Sequence, residues 1–327
     1  MAAVTVVVPT RNRPDLLALT LTSVLAQRDV DLRVIVVDDA STVDLDGATP
    51  TFADPRVRIL RQPVTRGVSA ARNRGVSEAT TEWVAFCDDD DLWSPDKLRH
   101  QLAAVQAGRR DWGYAGCVMV NAQLEIQGGA APLPPEAMVA ALREYNAVPA
   151  GASNVIVRSE VLARVGGFDE HLTHVPDWDL WLRLAGHGVP ACVNEPLVAY
   201  RIHGGNASFR TTEMLEELYE LEDRHELTKT RTRFHRHLAY LCLRSGRRRE
   251  ALAHFLRALV RFRGGYSRLD LAADGRLLRE HAAEIVRRRF GLPPGRWAAR
   301  RLRTAWERDP NAAWKAQAQT WLGALRC

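Results

Sequence analysis

Four short, mostly apolar runs constrain this chain more than any other feature. Residues 4–8 and 32–37 read as buried strands, because apolar runs of this length suit strands covered on both faces, residues 57–60 read as a short third strand and residues 83–87 as a fourth. Helical spacing lies between them. Residues 14–27 place Leu16, Leu17, Leu19, Leu21, Val24 and Leu25 on a helix that Pro14 can open. Residues 68–79 follow Gly67 as a second helix, with Ser69 as the expected N-cap. Residues 94–105 form a third, with Ser94 as cap and Pro95 at its first position. This alternation predicts an α/β fold with a mostly parallel sheet flanked by helices. Ligands of such sheets sit outside the carboxyl ends of the strands. Three polar clusters fall at those ends: Pro9-Thr10-Arg11-Asn12, Asp38-Asp39, and Asp88-Asp89-Asp90-Asp91.

The remainder is less regular. Residues 128–135 read as a Gly/Ala/Pro loop, 154–157 as a strand, 159–165 as a short helix ended by Gly166-Gly167, 177–187 as a helix, and 197–202 as a strand. Residues 213–262 read as helical, including a hairpin turning at Gly246, and residues 275–327 as further helices broken by Pro293-Pro294 and Pro310. The expected organisation is a catalytic domain over residues 1–212 and an all-α, Arg-rich extension over 213–327.

The four aspartates carry the sharpest chemical signal. Carboxylates so close repel and cannot all remain ionised without compensation. A divalent cation relieves that repulsion, and hard oxygen ligands suit Mn²⁺ or Mg²⁺ held by one or two carboxylates together with substrate phosphates. The bland alternative is a solvated acidic loop capping the next helix. The position directly after an apolar strand and before Leu92-Trp93 favours the metal.

Composition sets the compartment and the partners. The five cysteines (Cys87, Cys117, Cys192, Cys242, Cys327) are scattered and odd in number, against a disulfide framework or a structural zinc site. The first apolar run is too short for a secretory leader, and no stretch approaches the roughly 20 apolar residues of a membrane span. A cytoplasmic location is therefore expected. Residues 224–327 hold 25 of the 45 Lys and Arg but only 8 of the 39 Asp and Glu. Solvated helix faces balancing the acidic half are one reading of this tail. Peripheral attachment to an anionic membrane at its inner face, aided by Trp297, Trp306, Trp314 and Trp321, is another. Nucleic acid ranks last, for want of a binding motif.

Seven motifs in register give the chain a resemblance to inverting family 2 glycosyltransferases of the GT-A fold, over roughly residues 3–208. They are Pro9-Thr10-Arg11-Asn12; Val37-Asp38-Asp39-Ala40-Ser41; the glycine-bounded segment 67–75 with Ala71-Arg72-Asn73; residues 88–93 ending at Trp93; Gly166-Gly167-Phe168-Asp169; the helix 177–184; and Tyr200-Arg201-Ile202-His203. The resemblance implies a nucleotide-diphosphate sugar donor, most commonly a uridine diphosphate sugar, and an acceptor that the motifs leave unnamed. It implies that Asp39 reads the nucleotide base, with Pro9, Thr10 and Arg11 lining its pocket. Arg66 or Arg72 would approach the diphosphate, with His203 near it or the metal. Asp88 and Asp90 would hold Mn²⁺ or Mg²⁺, Asp90 foremost, and Asp177 would be the general base. Asp179 is expected to pair with Arg183, and Trp178, Trp181 and Leu184 to be core. Trp93 either shapes the sugar pocket or packs under the metal loop. Two positions depart from the pattern: Pro176 stands where Glu is usual, and Thr65 where Asn is frequent. A degenerate transferase fold serving as a basic scaffold, and a nucleotidyltransferase, are the competing readings. The intact Asp88, Asp90 and Asp177 set speaks against the first, and the missing Gly-rich phosphate loop against the second.

Overall fold

The computed structural model describes residues 2–43, 45, 50–203, 211–227, 234, 235, 238, 239, 242, 247–260 and 312–325. Nine strands form one mixed sheet: β1 (Ala3–Thr10), β2 (Asp31–Asp38), β3 (Val57–Arg61), β4 (Trp83–Phe86), β5 (Leu92–Trp93), β6 (Trp112–Val120), β7 (Ile126–Ala130), β8 (Ile156–Arg158) and β9 (Ala191–Arg201). Their order is β3-β2-β1-β4-β8-β6-β9-β5, with β7 paired to β6. The first four are parallel neighbours, as the strand–helix alternation predicts. Following the pairings onward, β6 and β9 keep that direction, while β5, β7 and β8 run against it. The α/β expectation therefore holds, with the antiparallel strands on the side of the sheet beyond β4.

Helices α1 (Pro14–Leu25), α2 (Val68–Ser77) and α3 (Lys97–Gly108) flank the parallel strands. Leu17, Leu21 and Val24 of α1 and Leu98, Leu102 and Val105 of α3 join Val4, Val6 and Val8 in one core. Helix α2 packs on the opposite face, where Val7 and Val37 point. A Cβ on Gly75 would lie 2.4 Å from Val7 Cγ1 and 3.2 Å from Val37 Cγ2, so only glycine permits this approach. Helices α4 (Pro135–Leu142), α5 (Ser159–Arg164), α6 (Pro176–His187) and α7 (Thr211–His225) follow.

Several local expectations are corrected. Ser69 is not the cap of α2. Gly67, at φ 90°, holds that position, and the Ser69 hydroxyl donates to the Leu172 carbonyl at 3.0 Å. Helix α3 begins at Lys97 rather than at 94, because Ser94 is tied instead to β9 through Leu197 O and to Gln27. Residues 128–130 belong to β7 rather than to a loop. Strand β6 carries no clear sequence signal, since Gly113 and Gly116 interrupt it. Both are close-packing positions: a Cβ on Gly113 would lie 2.9 Å from Val105 Cγ1.

By contacts the chain divides into two units, residues 1–221 with 308–327, and residues 222–307. The helix Ala312–Ala324 belongs to the first. Its Ala318, Trp321 and Leu322 pack with Leu92, Val118, Val120 and Ala199. The Trp314 ring lies so near Gly116 that a Cβ there would sit 2.2 Å from it. Trp314 and Trp321 thus face the sheet rather than a membrane, while Trp297 and Trp306 lie outside the described residues. In the second unit, Ala239, Cys242, Ala251 and Phe255 form a small cluster that includes one face of the helix Arg248–Val260. The hairpin turn at Gly246 and all of residues 261–311 also lie outside the described residues.

Gly75→Ala is expected to lower stability by about 1–3 kcal/mol through overpacking, outweighing alanine's better helix propensity. Adding Val7→Ala should recover part of the loss in urea denaturation. A Gly75→Ala protein at or above wild-type stability would rule out the close approach.

Candidate active site

Strand β4 delivers the acidic loop, and four distant segments hold it. Thr10, at the end of β1, donates its hydroxyl to Asp89 Oδ2 at 2.7 Å. Arg13 donates from Nη1 to Asp89 Oδ1 at 3.2 Å and to Asp90 Oδ2 at 3.0 Å. Arg72, buried on α2, reaches Asp88 Oδ1 at 2.5 Å and lies over the Phe168 ring. Ser153 donates to Asp91 Oδ2 at 2.5 Å and accepts from the Asp88 N–H at 3.0 Å.

Arg201, at the end of β9 and 5% exposed, clamps the backbone beneath. Its N–H donates to Asp91 Oδ1 at 3.1 Å and its Nε to the Asp90 carbonyl. Its Nη2 reaches Leu16 O at 2.9 Å, Thr20 Oγ1 at 3.0 Å and Asp89 O at 3.3 Å. Thr20 in turn donates to the Asp89 and Asp91 carbonyls. His203 Nε2 lies 2.9 Å from Asp90 Oδ2.

The electrostatics record the crowding. Burial first, then the charge of Asp90, pushes the Asp89 carboxyl up to about 6, against the Thr10 hydroxyl and Arg13. Burial and the charges of Asp90 and Asp88 drive Asp91 well above the carboxylate range. Lys97 is wholly buried 3.8 Å over the Trp93 ring, hydrogen-bonded to Gln101, and burial lowers it to about 7. Trp93 is itself fully buried and donates to Ser153 O, so it packs beneath the acidic loop.

Asp177 stands at the start of α6. Its Oδ1 accepts the Trp178 N–H at 2.8 Å, and its Oδ2 accepts Asn146 Nδ2 at 3.0 Å. Burial pushes its carboxyl above the ordinary value, against the pull of Arg72, Asn146 and Trp178, while the Asp88 charge adds to the rise. Arg72 therefore acts on both Asp88 and Asp177, 89 positions apart in sequence. On the same helix, Asp179 pairs with Arg183 at 2.6 Å, and Trp178, Trp181 and Leu184 are core, as expected.

Asp39 sits at the end of β2. Its Oδ1 accepts the Arg66 N–H at 2.7 Å and Gln62 Nε2 at 3.1 Å, and its Oδ2 accepts the Gly67 N–H at 3.0 Å. The Arg66 side chain pairs with Glu170 at 2.9 Å, and Arg11 is exposed. Pro9 is buried within β1. The structure thus draws Thr10, Arg72, Asp88, Asp90 and His203 into one cluster, with Asp177 coupled to it, and turns Arg66 outward. Arg13, Thr20, Asn146 and Ser153 join the site without a sequence signal of their own beyond, for Arg13, its place in the Pro9–Arg13 turn. Among the described residues, no three His, Cys, Asp or Glu side chains form a ready metal cage.

Residues 5–162 match the family model described as Glycosyl transferase family 2. The succinoglycan biosynthesis protein ExoO of Rhizobium meliloti (strain 1021) is 33% identical over 157 residues, which cover 48% of this chain and 44% of ExoO. The chain thus spans less than half of that relative. Among solved structures, S. aureus TarS 1-349 in complex with UDP-GlcNAc is similar with a TM-score of 0.56 at 19% identity, covering 80% of this chain and 73% of that one. The mannosyltransferase PcManGT from Pyrobaculum calidifontis, in complex with GDP-Man and Mn²⁺, is similar with a TM-score of 0.52 at 21% identity, covering 84% and 79%. At these identities the likeness establishes the fold.

Arg201→Met should cost about 3–5 kcal/mol in denaturant unfolding, because it leaves buried acceptors unpaired within an anionic loop. A loss below about 1 kcal/mol would show that the loop holds its shape without the clamp.

Proposed function

From a chain whose residues 5–162 belong to glycosyl transferase family 2 on a GT-A type α/β fold, we propose a metal-dependent, inverting glycosyltransferase that moves a sugar from a nucleotide-diphosphate donor to an acceptor hydroxyl. The observation that carries this reading is the coupling of Asp177 to Asp88 through Arg72. A half-buried, raised carboxylate beside a carboxylate cluster is the pairing that in-line displacement needs: a base on the acceptor and an anion-handling group on the leaving diphosphate.

Asp177 takes the acceptor proton as that oxygen attacks the anomeric carbon opposite the leaving group. A raised pKa brings the base nearer neutral pH, where its proton affinity is most useful, and general-base help of this kind is worth about 10²–10⁴ in rate. On the donor side, Asp39 keeps acceptor capacity for a base N–H while the backbone of Arg66 and Gly67 fixes its orientation. Thr10 and Arg11 border it, and Arg72 faces the diphosphate. Uridine diphosphate sugars are the first candidates, supported by the TarS complex, and guanosine diphosphate sugars the second, by the PcManGT complex.

The donor set fits Mn²⁺ or Mg²⁺ in their open mode, through one or two carboxylates plus phosphate oxygens. Asp88 and Asp90 are the ligands this reading assigns. Burial is the first cause of the upward shift of Asp89 and the charge of Asp90 the second, and that second part is the repulsion a cation at Asp90 would relieve. A bound cation supplies charge neutralisation on the departing diphosphate.

A peripheral, inner-face membrane association has its own support. The helix Arg248–Val260 exposes Leu252 and Leu256 one turn apart, beside exposed Arg249 and Arg257. No helix among the described residues is long and apolar enough to cross a membrane.

A thermal-shift panel of UDP- and GDP-sugars, with and without Mn²⁺, tests the donor site. Asp90→Asn should lose the Mn²⁺-dependent shift. Asp177→Asn should keep it but lose transfer by about 10²-fold or more. In the wild type, transfer should fall as pH drops through the raised Asp177 pKa, so the acid limb lies above that of an ordinary aspartate. Near-normal turnover by Asp177→Asn would remove it as the base. Sedimentation with phosphatidylglycerol vesicles tests the surface. The wild type should bind and Leu252→Glu/Leu256→Glu should not; equal partitioning of both would discard this helix as the contact.

A further inference from the structure

Asp177 is held by a loop that lies outside every recognised motif. Helix α4 ends at Leu142, and residues 143–150 lead to Gly151. The loop is anchored at both ends. Leu142 O accepts Trp178 Nε1 at 2.7 Å, and Pro149 O accepts Asn154 Nδ2 at 2.8 Å. Asn154 is fixed in turn to both backbone groups of Ala115 on β6. Ala150 and Gly151 both take left-handed conformations, at φ 57° and 49°. A Cβ on Gly151 would lie 2.7 Å from Asp177 Oδ2.

Between these anchors, Asn146 Nδ2 donates to Asp177 Oδ2 at 3.0 Å. Its Oδ1 is buried with no hydrogen-bond partner among the described residues. A buried unsatisfied carbonyl is unfavourable, and an amide held only by packing would turn to relieve it. Turning this one would set Oδ1 against the Asp177 carboxylate, two acceptors face to face. The ionised base therefore dictates the orientation, and the absent side chain at Gly151 leaves the space that Oδ2 occupies beside the amide.

We propose that Asn146 is a positioning residue for the general base, fixing the Asp177 carboxylate in its ionised form so that a defined oxygen faces the acceptor. This inference rests on the reading of Asp177 as base. The charged groups acting on Asp177 are Arg72 of α2 and Asp88 of the acidic loop. Neither substitutes for the amide, which alone among the described side chains donates a hydrogen bond to Oδ2.

The test is a ¹³C-carboxyl aspartate NMR titration of the full chain without ligands, with the Asp177 resonance assigned from Asp177→Asn. Removing a donor to the charged form raises the pKa, so Asn146→Ala should move the Asp177 midpoint up by about one pH unit. Asn146→Asp keeps the shape, removes the donor and adds a like charge, so it should move the midpoint at least as far. Release of UDP from UDP-glucose with Mn²⁺ gives the kinetic counterpart: the acid limb of kcat should shift the same way while the donor KM stays within about twofold. An unmoved midpoint in both variants overturns the role of Asn146, whatever Asp177→Asn does. A moved midpoint together with full turnover by Asp177→Asn overturns the base assignment, and the positioning role with it.

Discussion

Four carboxylates at one strand end can persist only if positive charge and hydrogen-bond donors are brought to them, and the architecture is organised around that need. No local segment supplies the compensation. Arg13 precedes α1, Arg72 comes from α2, Ser153 from the turn before β8, and Arg201 from β9, 110 positions beyond Asp91. The division of labour matters. Arg13 and Arg72 neutralise carboxylates, whereas most of Arg201's side-chain bonds go to backbone carbonyls of the loop and of α1. One set governs charge and the other governs shape. Because Arg201 arrives last in sequence, the loop can take its final form only after β9 has joined the sheet, a non-local pairing of the slow kind.

This arrangement explains which parts of the site were legible in sequence. Strands β1, β2 and β4 are largely apolar runs, and their polar ends mark the ligand edge of a parallel sheet without further information. Asp88, Asp90 and Asp177 stand in recognisable patterns, and the pairing of Asp179 with Arg183 follows from helical spacing alone. Direction was harder to read. Arg11 and Arg13 are two residues apart in one turn, yet Arg11 is exposed and Arg13 reaches the carboxylates. The turn, with Asn12 at φ 56°, breaks the alternation that would have decided between them. Asn146 and Ser153 lie in loop and 3₁₀ segments without periodicity, so nothing in their spacing announces a role. Strand β6 was hidden by Gly113 and Gly116, which are small because a neighbouring helix and tryptophan press on them.

The basic region shows the limit of composition as a guide. Its arginine excess suggests a separable tail, but the contacts divide it. The helix Ala312–Ala324 carries Ala318, Trp321 and Leu322 into a core with Leu92 and Ala199. Leu92 follows Asp91 directly, and Ala199 precedes Arg201 by two positions. These are the two segments that meet in the short β5–β9 pairing, where Leu92 is aligned with Ala199. A two-residue strand has little stability of its own. The packing of this helix therefore supports the strand that fixes Asp91 and the strand that delivers the clamp. Trp314 and Trp321, which from sequence alone suit a membrane interface, serve that purpose, since an aromatic side chain buries a large apolar area wherever such a surface is offered. The helix Ala312–Ala324 thus belongs with residues 1–221, whereas the exposed Leu252 and Leu256 lie within residues 222–307.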